Sequence, residues 1–334
     1  MLVSTVFLFP FRRVATATAL LLSGVLAVSC ADDDDQGSTP AVPELVTFTQ
    51  AGLFPEGVQY DAKNKCFLVS SLSTGNIGRV TDAGAYTVLA NSTTASGTRI
   101  ITSAVGINLD ESRNRVLVAS SNAMAGNVAR LVSYNRDNGQ LNFNVDLTPG
   151  TNTPRHFAND IAVDNAGNAY VTDSFAPYIY KVDPQGNASV FLTDQQFAAP
   201  AGAFGLNGIV FHPDGYLLVA RGDNGSLFKV PVAAPATFTR VNTTGINFTG
   251  ADGLLLQNNN TLQAVVSGNR VIRIGTTNNW AGATLSGTFA ATQSVSPTTL
   301  ARRVGADSYV LYARLSQMTA TPPPAEFVIG RVRF

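Results

Sequence analysis

Residues 157–174 read FANDIAVDNAGNAYVTDS. A short apolar run, Ile161 to Val163, meets the turn DNAG, and a second apolar run, AYVT at 169–172, follows. This is hairpin grammar, because Asp, Asn and Gly tolerate the φ angles that a tight turn demands. The same grammar recurs along the chain. PEGVQYDAKNKCFLVSS begins at 55, AVGINLDESRNRVLVASS at 104, LNGIVFHPDGYLLVARG at 206 and ADGLLLQNNNTLQAVVSG at 251. The weakest copy, PTTLARRVGADSYVLYAR, begins at 297. The second residues of the six copies lie 45–54 residues apart. After each hairpin comes an alternating strand, such as Ile179-Tyr180-Lys181-Val182, and then one more. Four strands per unit at this period describe a propeller blade. Six copies predict an all-β, six-bladed β-propeller with four-stranded antiparallel blades. A seven-bladed propeller or a β-sandwich is the runner-up, but a sandwich leaves the period unexplained. ELVTFTQ at 44–50 can supply the outer strand of the last blade beside the C-terminal EFVIGRVRF, hiding an open edge.

Composition narrows the function. Charged residues make up 13% of the chain, about half the usual share, and the formal net charge is zero. With no basic patch or charge run of that sign, nucleic acid is not an expected partner. No Walker A, GxSxG, HExxH or CxxC pair occurs. The column Asp61, Asp110, Asp164, His212, Gln257 and Arg303 falls in the hairpin turns, and these residues are expected to form turns and staple blades.

The N-terminus is a targeting segment. Arg12 and Arg13 precede an apolar run, Val14 to Val28, that is too short to span a bilayer. It ends in LAVSC, residues 26–30, which resembles a bacterial lipobox with cleavage before Cys30 and lipidation of its sulfur. Several acyl chains on one residue would hold the protein at a membrane. The expected organisation is a signal peptide over 1–29, an acidic tether over 30–44 and a propeller over 45–334. The run ADDDD after Cys30 repels itself and stays solvated. It also resembles the surface-export signal of Bacteroidetes lipoproteins, so the expected place is the bacterial cell envelope, with the outer surface as one option. Membrane attachment would run through Cys30 only, and the chain is expected to be a monomer. Cys66 then has no partner and reads as a buried thiol in the strand CFLVS.

The chemistry sits where the repeat is uneven. The first strand of a blade lines the central channel, so the second residue of each copy should face one axis. That ring is Glu56, Val105, Asn159, Asn207, Asp252 and Thr298. Blade folding does not require carboxylates on a crowded axis, where each loses its hydration at a cost of several kcal/mol. A divalent cation matches the charge of Glu56 and Asp252. Carboxylate and amide oxygens are hard ligands, which puts Ca²⁺ first, with Mg²⁺, Mn²⁺ or Zn²⁺ as alternatives. Taken singly, each residue is better explained as a strand-start Asx turn or cap; the set of four is what favours a metal.

PEG at 55–57, the stretch from Ala158, LNGIVFHPDG at 206–215 and ADG at 251–253 resemble, in order, the blade starts of the SMP-30/gluconolactonase/LRE-like family of six-bladed propellers. The family is related to calcium-dependent paraoxonases. The resemblance covers roughly 54–334. It implies that Glu56, Asn207 and Asp252 ligate a metal and that Asn159 contacts the substrate or a water at the metal, or is itself a ligand. Sugar-lactone members carry an Arg just before the Asn-Asp pair. Here Phe157 and Ala158 intervene and Arg155 lies further out, which argues against a sugar acid. His156 falls near the same mouth, and paraoxonase-like relatives use a His as base.

The function expected is metal-dependent hydrolysis of a small-molecule lactone or ester, with Asp252 or Glu56 taking the proton of the attacking water. Loops between second and third strands, such as Ser71–Asn76 and Ser174–Tyr178, would set specificity. Asp173 and Arg221 are the charged residues placed to orient a substrate, or else they form a surface ion pair. The alternative is a non-enzymatic binding propeller on a cell surface, with a structural metal. Labelled palmitate should enter the wild-type chain and not the Cys30→Ala variant. A variant that still takes label contradicts the anchor.

Overall fold

Each hairpin of the repeat supplies the inner pair of strands of one blade. The computed structural model describes residues 42–122, 125–293, 295–303, 305 and 307–334. The leader over 1–29, Cys30 and the acidic run lie outside the described residues. The inner strands are Pro55–Asp61, Ser103–Asp110, His156–Val163, Leu206–His212, Leu254–Asn258 and Pro297–Arg302. Each is the first strand of an antiparallel sheet, and consecutive inner strands neighbour one another until the sixth meets the first. The chain therefore forms a six-bladed propeller. The third blade carries one addition, Asn127–Val128, which pairs in parallel with His156 and Phe157. Among the described residues no helix is long and apolar enough to cross a membrane.

The ring closes with strands from both chain ends. Leu45–Thr49 pairs antiparallel with Glu326–Arg331, in the register Leu45 to Gly330 and Phe48 to Phe327. Val46 and Phe48 are buried while Leu45 is 49% exposed, the alternation expected of an edge strand. Phe327 packs its ring 5.9 Å from Phe48 and 6.0 Å from Phe54. Neighbouring blades stack through apolar faces. Leu117 and Ala119 of the second blade share one cluster with Ala158 and Val171 of the third.

Turn-column residues hold the hairpins. Asp61 accepts from the backbone and side chain of Asn64 and is paired with Arg136 of the next blade. Asp110 pairs with Arg115 at 3.0 Å, and Asp164 accepts twice from Asn168 at 2.8 Å. His212 accepts from the Asp214 N–H and lies 2.8 Å from the Asn259 carbonyl. Cys66 is buried, and burial pushes its thiol up to about 11, which makes it an inert core group.

One irregularity positions the site. In five inner strands the register slips between the first and fourth residue of the repeat, so the repeat's second and third residues bulge from the ladder. In the fifth blade Ala251-Asp252-Gly253 precedes the strand, and Val265 pairs with both Asp252 and Gly253. A bulge re-aims the side chain it carries. The third residue is often Gly for a steric reason. A Cβ on Gly106 would lie 2.2 Å from the Asn159 carbonyl oxygen, and one on Gly208 would lie 2.2 Å from that of Asp252.

Replacing Phe327 by Ala should destabilise the fold by about 3–5 kcal/mol in urea titrations. Leu45→Ala, on the exposed face of the same closure, should cost less than about 0.5 kcal/mol. Equal losses would mean that this pairing does not hold the ring shut.

Candidate metal centre

Four bulges and the segment just before the fifth inner strand turn five of the six ring residues into one cavity. Glu56, Val105, Asn159, Asn207 and Asp252 line a recess of about 370 Å³ at one mouth of the channel. Thr298 is turned aside, donating its hydroxyl to the Glu56 carbonyl at 2.8 Å. Thr299 does the same at 2.9 Å, so the backbone beneath Glu56 is pinned by the sixth blade. Asn159 is fixed through its amide nitrogen, which donates to Ser174 Oγ at 2.8 Å. Ser174 in turn donates to the Leu206 carbonyl at 2.5 Å.

The electrostatics of this recess are unbalanced. None of its lining residues is basic. Glu56 is 6% exposed, and burial followed by the charges of Asp252 and Asp160 raises its pKa well above the ordinary value. Asp252 is pushed up to about 7 by burial and the Asp160 charge, with the Asn207 side chain pulling it back down. Asp160 is raised to about 7 by burial, although the Ile161 and Ile209 N–H groups donate to it at 2.8 and 3.2 Å. It thus bridges the third and fourth blades directly behind the ring.

Two oxygens in the recess are left unserved. Glu56 Oε2 and Asn207 Oδ1 are buried and receive no hydrogen bond. A buried acceptor without a donor costs about 1–3 kcal/mol. A hard cation bound by oxygen would satisfy both atoms and neutralise both acids. Among the described residues no three His, Cys, Asp or Glu side chains cluster as a metal set, so amide oxygens would have to complete this one. The residues present fit a divalent cation with mixed carboxylate and amide ligands.

Three other candidates sit elsewhere. Asp173 is fully buried. Its Oδ1 accepts from the N–H groups of Phe157, Phe175 and Ala176, and its Oδ2 from the Tyr180 hydroxyl at 2.8 Å. His156 is 3% exposed, with Nδ1 2.7 Å from Asp173 and Nε2 2.9 Å from the Thr153 carbonyl. Burial pulls the His156 pKa down, but the Asp173 hydrogen bond and charge outweigh it and leave it raised. Arg221 holds Asp223 through two bonds of 2.7 and 2.8 Å and donates to the Gln196 carbonyl. Their bonding capacity is used within the protein, and none lines the recess.

The rest of the recess is apolar. Leu72, Phe157, Phe204, Leu315 and Met318 complete its wall. Of these only Leu72 comes from a loop singled out by sequence. Phe157 and Phe204 stand two and three residues before ring residues, and that spacing was the available signal.

Comparison with known proteins agrees with this architecture. The family model described as SMP-30/Gluconolactonase/LRE-like region matches residues 54–286. A comparison with curated proteins finds no match. Among solved structures, the Malassezia sympodialis allergen Mala s 1 superposes with a TM-score of 0.73 at 19% identity, covering 88% of this chain and 97% of its own. The calcium-binding protein regucalcin from Agrobacterium tumefaciens gives 0.59 at 17%, covering 85% and 93%. Virginiamycin B lyase from Staphylococcus aureus gives 0.55 at 13%, covering 80% of each chain. At these identities the likeness shows the fold.

Raised carboxyls mean that the folded chain keeps protons which the unfolded chain releases above about pH 4. The melting temperature of metal-free protein should therefore fall as pH rises from about 4 towards 7, compared with the Glu56→Gln/Asp252→Asn double variant. Calcium chloride should restore more of it at pH 8 than at pH 5, because the ion displaces those protons. A melting temperature unmoved by both pH and calcium would reject the cation site.

Proposed function

We propose that this chain, which belongs to the SMP-30/gluconolactonase/LRE-like family, is a divalent-cation-dependent hydrolase of a lactone or ester. The observation that carries the reading is the pair of buried acids beside two buried oxygens that lack donors. Glu56, Asn207 and Asp252 would hold the ion, with Asn159 as a fourth ligand or a substrate contact. A bound divalent cation, with Ca²⁺ as first choice, supplies Lewis-acid polarisation of a carbonyl and more acidic water.

The chain's own residues supply the rest. Asn159, locked by Ser174, presents a fixed amide to the substrate. Asp252, where the ion leaves one of its oxygens free, is the carboxylate in the recess that can act as general base. Asp252 would accept the proton of an attacking water whose oxygen adds to the acyl carbon. As the bond to the leaving oxygen breaks, Asp252 would return that proton to it. The apolar wall limits the water present at the reacting carbon.

One observation favours the non-enzymatic reading. His156, Asp173 and Arg221 are all engaged within the protein, so the ring alone would carry the chemistry. In that reading the cation only fixes the channel of a binding propeller. In both readings the protein would be held at the cell envelope through Cys30.

A panel of lactones and aryl esters should be hydrolysed with Ca²⁺ and not after chelation. Glu56→Gln and Asp252→Asn should each lower kcat/KM by at least about 10²-fold while still unfolding cooperatively as folded protein. Absence of turnover on the whole panel with Ca²⁺, Mg²⁺, Mn²⁺ and Zn²⁺ supplied rejects the hydrolase.

A further inference from the structure

The chemistry of the ring does not account for the wall above it. The polar base of the recess is Glu56, Asn159, Asn207 and Asp252, whereas the wall is Leu72, Val105, Phe157, Phe204, Leu315 and Met318. Those six come from five separated stretches of chain, so local sequence bias does not explain their convergence. Phe204 and Met318 are 39% and 41% exposed. Large apolar side chains left in water around one concave site mark a binding surface.

The wall is also built to stay in place. Phe204 packs edge-on to Phe157 at 5.2 Å and lies 5.0 Å from Phe175. Aromatic contacts of this kind hold their rings in set orientations. The Arg155 guanidinium lies over the outer ring, Phe175, at 4.5 Å and does not line the recess. Arg221 is spent on Asp223.

These facts select the ligand. An anionic substrate would find no basic side chain lining the recess to pair with. A polyhydroxylated one would bury hydroxyls against side chains that cannot bond to them, which costs about 1–3 kcal/mol for each unpaired group. An uncharged apolar group meets neither penalty and gains from burial. The volume, about 370 Å³, is at the small end of ligand pockets and suits one ring or a short chain.

A second recess of about 300 Å³ shares Phe204, Asn207 and Asp252 with the first and continues past Thr249 and Ser267. It offers water and a released alcohol a second approach to the same two ring residues.

We propose that the substrate carries a neutral apolar arm, aryl or short alkyl, which lies against Phe204 and Met318 with its ester or lactone group at Asn207 and Asp252. The proposal rests on the hydrolase reading for the reacting group and on the wall for the arm.

Two measurements on the calcium-loaded protein separate these parts. Chroman, an apolar bicycle with no bond to hydrolyse, should bind saturably in calorimetric titration. Phe204→Ser and Met318→Ser should each weaken it about tenfold, and both positions are exposed enough for the fold to survive. In kinetics, kcat/KM should rise about threefold per added methylene from p-nitrophenyl acetate to the hexanoate. The rise should flatten in the Phe204→Ser/Met318→Ser double variant. If chroman does not bind and glucono-δ-lactone is the better substrate, the apolar arm is overturned and the hydrolase stands. If chroman binds and depends on both residues while no ester or lactone turns over, the hydrolase fails and the apolar recognition stands.

Discussion

The close approach of inner strands around the axis governs this structure. In four of the six blades an inner strand passes its neighbour with a carbonyl where a Cβ would otherwise lie, as Gly106 does against Asn159 and Gly208 against Asp252. A regular ladder does not fit that approach, and the register slips near the start of five inner strands. The bulge is a packing solution first. Its by-product is that the ring residues of the first four blades are turned toward the axis at one mouth. Hydroxyls from neighbouring blades then brace the bulges. Thr298 and Thr299 hold the Glu56 carbonyl, Thr172 donates to the Asn207 carbonyl, and Ser70 to that of Val105.

On that rigid ring the protein places groups that work against folding. Burial raises the pKa of Glu56, Asp160 and Asp252, the Asp160 charge adds to the shift of the other two, and two nearby oxygens lack donors. Charges elsewhere are handled differently. Asp61, Asp110 and Asp223 are paired with Arg136, Arg115 and Arg221. The same chain thus neutralises its structural acids and leaves the axial ones without a base. Closure by Leu45–Thr49 and the inter-blade apolar stacks supply the stability that tolerates this.

Much of this could be read along the chain. The six hairpins were legible because turn residues and apolar runs are local signals that repeat. The pairing of 44–50 with the C-terminal strand followed from the need to close the last edge. Glu56, Asn159, Asn207 and Asp252 were legible because they share one repeat position and break its pattern. The roles of His156, Asp173 and Arg221 were not. Asp173 is recruited by Tyr180, His156 and three backbone N–H groups, and Arg221 by Asp223, arrangements that depend on loop paths. The apolar wall was equally hidden, since Leu72, Phe204 and Met318 belong to unrelated segments.

By itself the sequence determined the period, the six blades, their closure and which side chains occupy the axial position, because these follow from local turn chemistry repeated in register. Only the tertiary structure decided that five of the six axial residues face one recess while Thr298 turns back onto Glu56. It also decided that the recess has acids at its base and hydrocarbon on its walls. The reason is physical: hydrogen bonding, desolvation and mutual charge depend on distances through space. Those distances become fixed only when the first and last strands pair and the ring is shut.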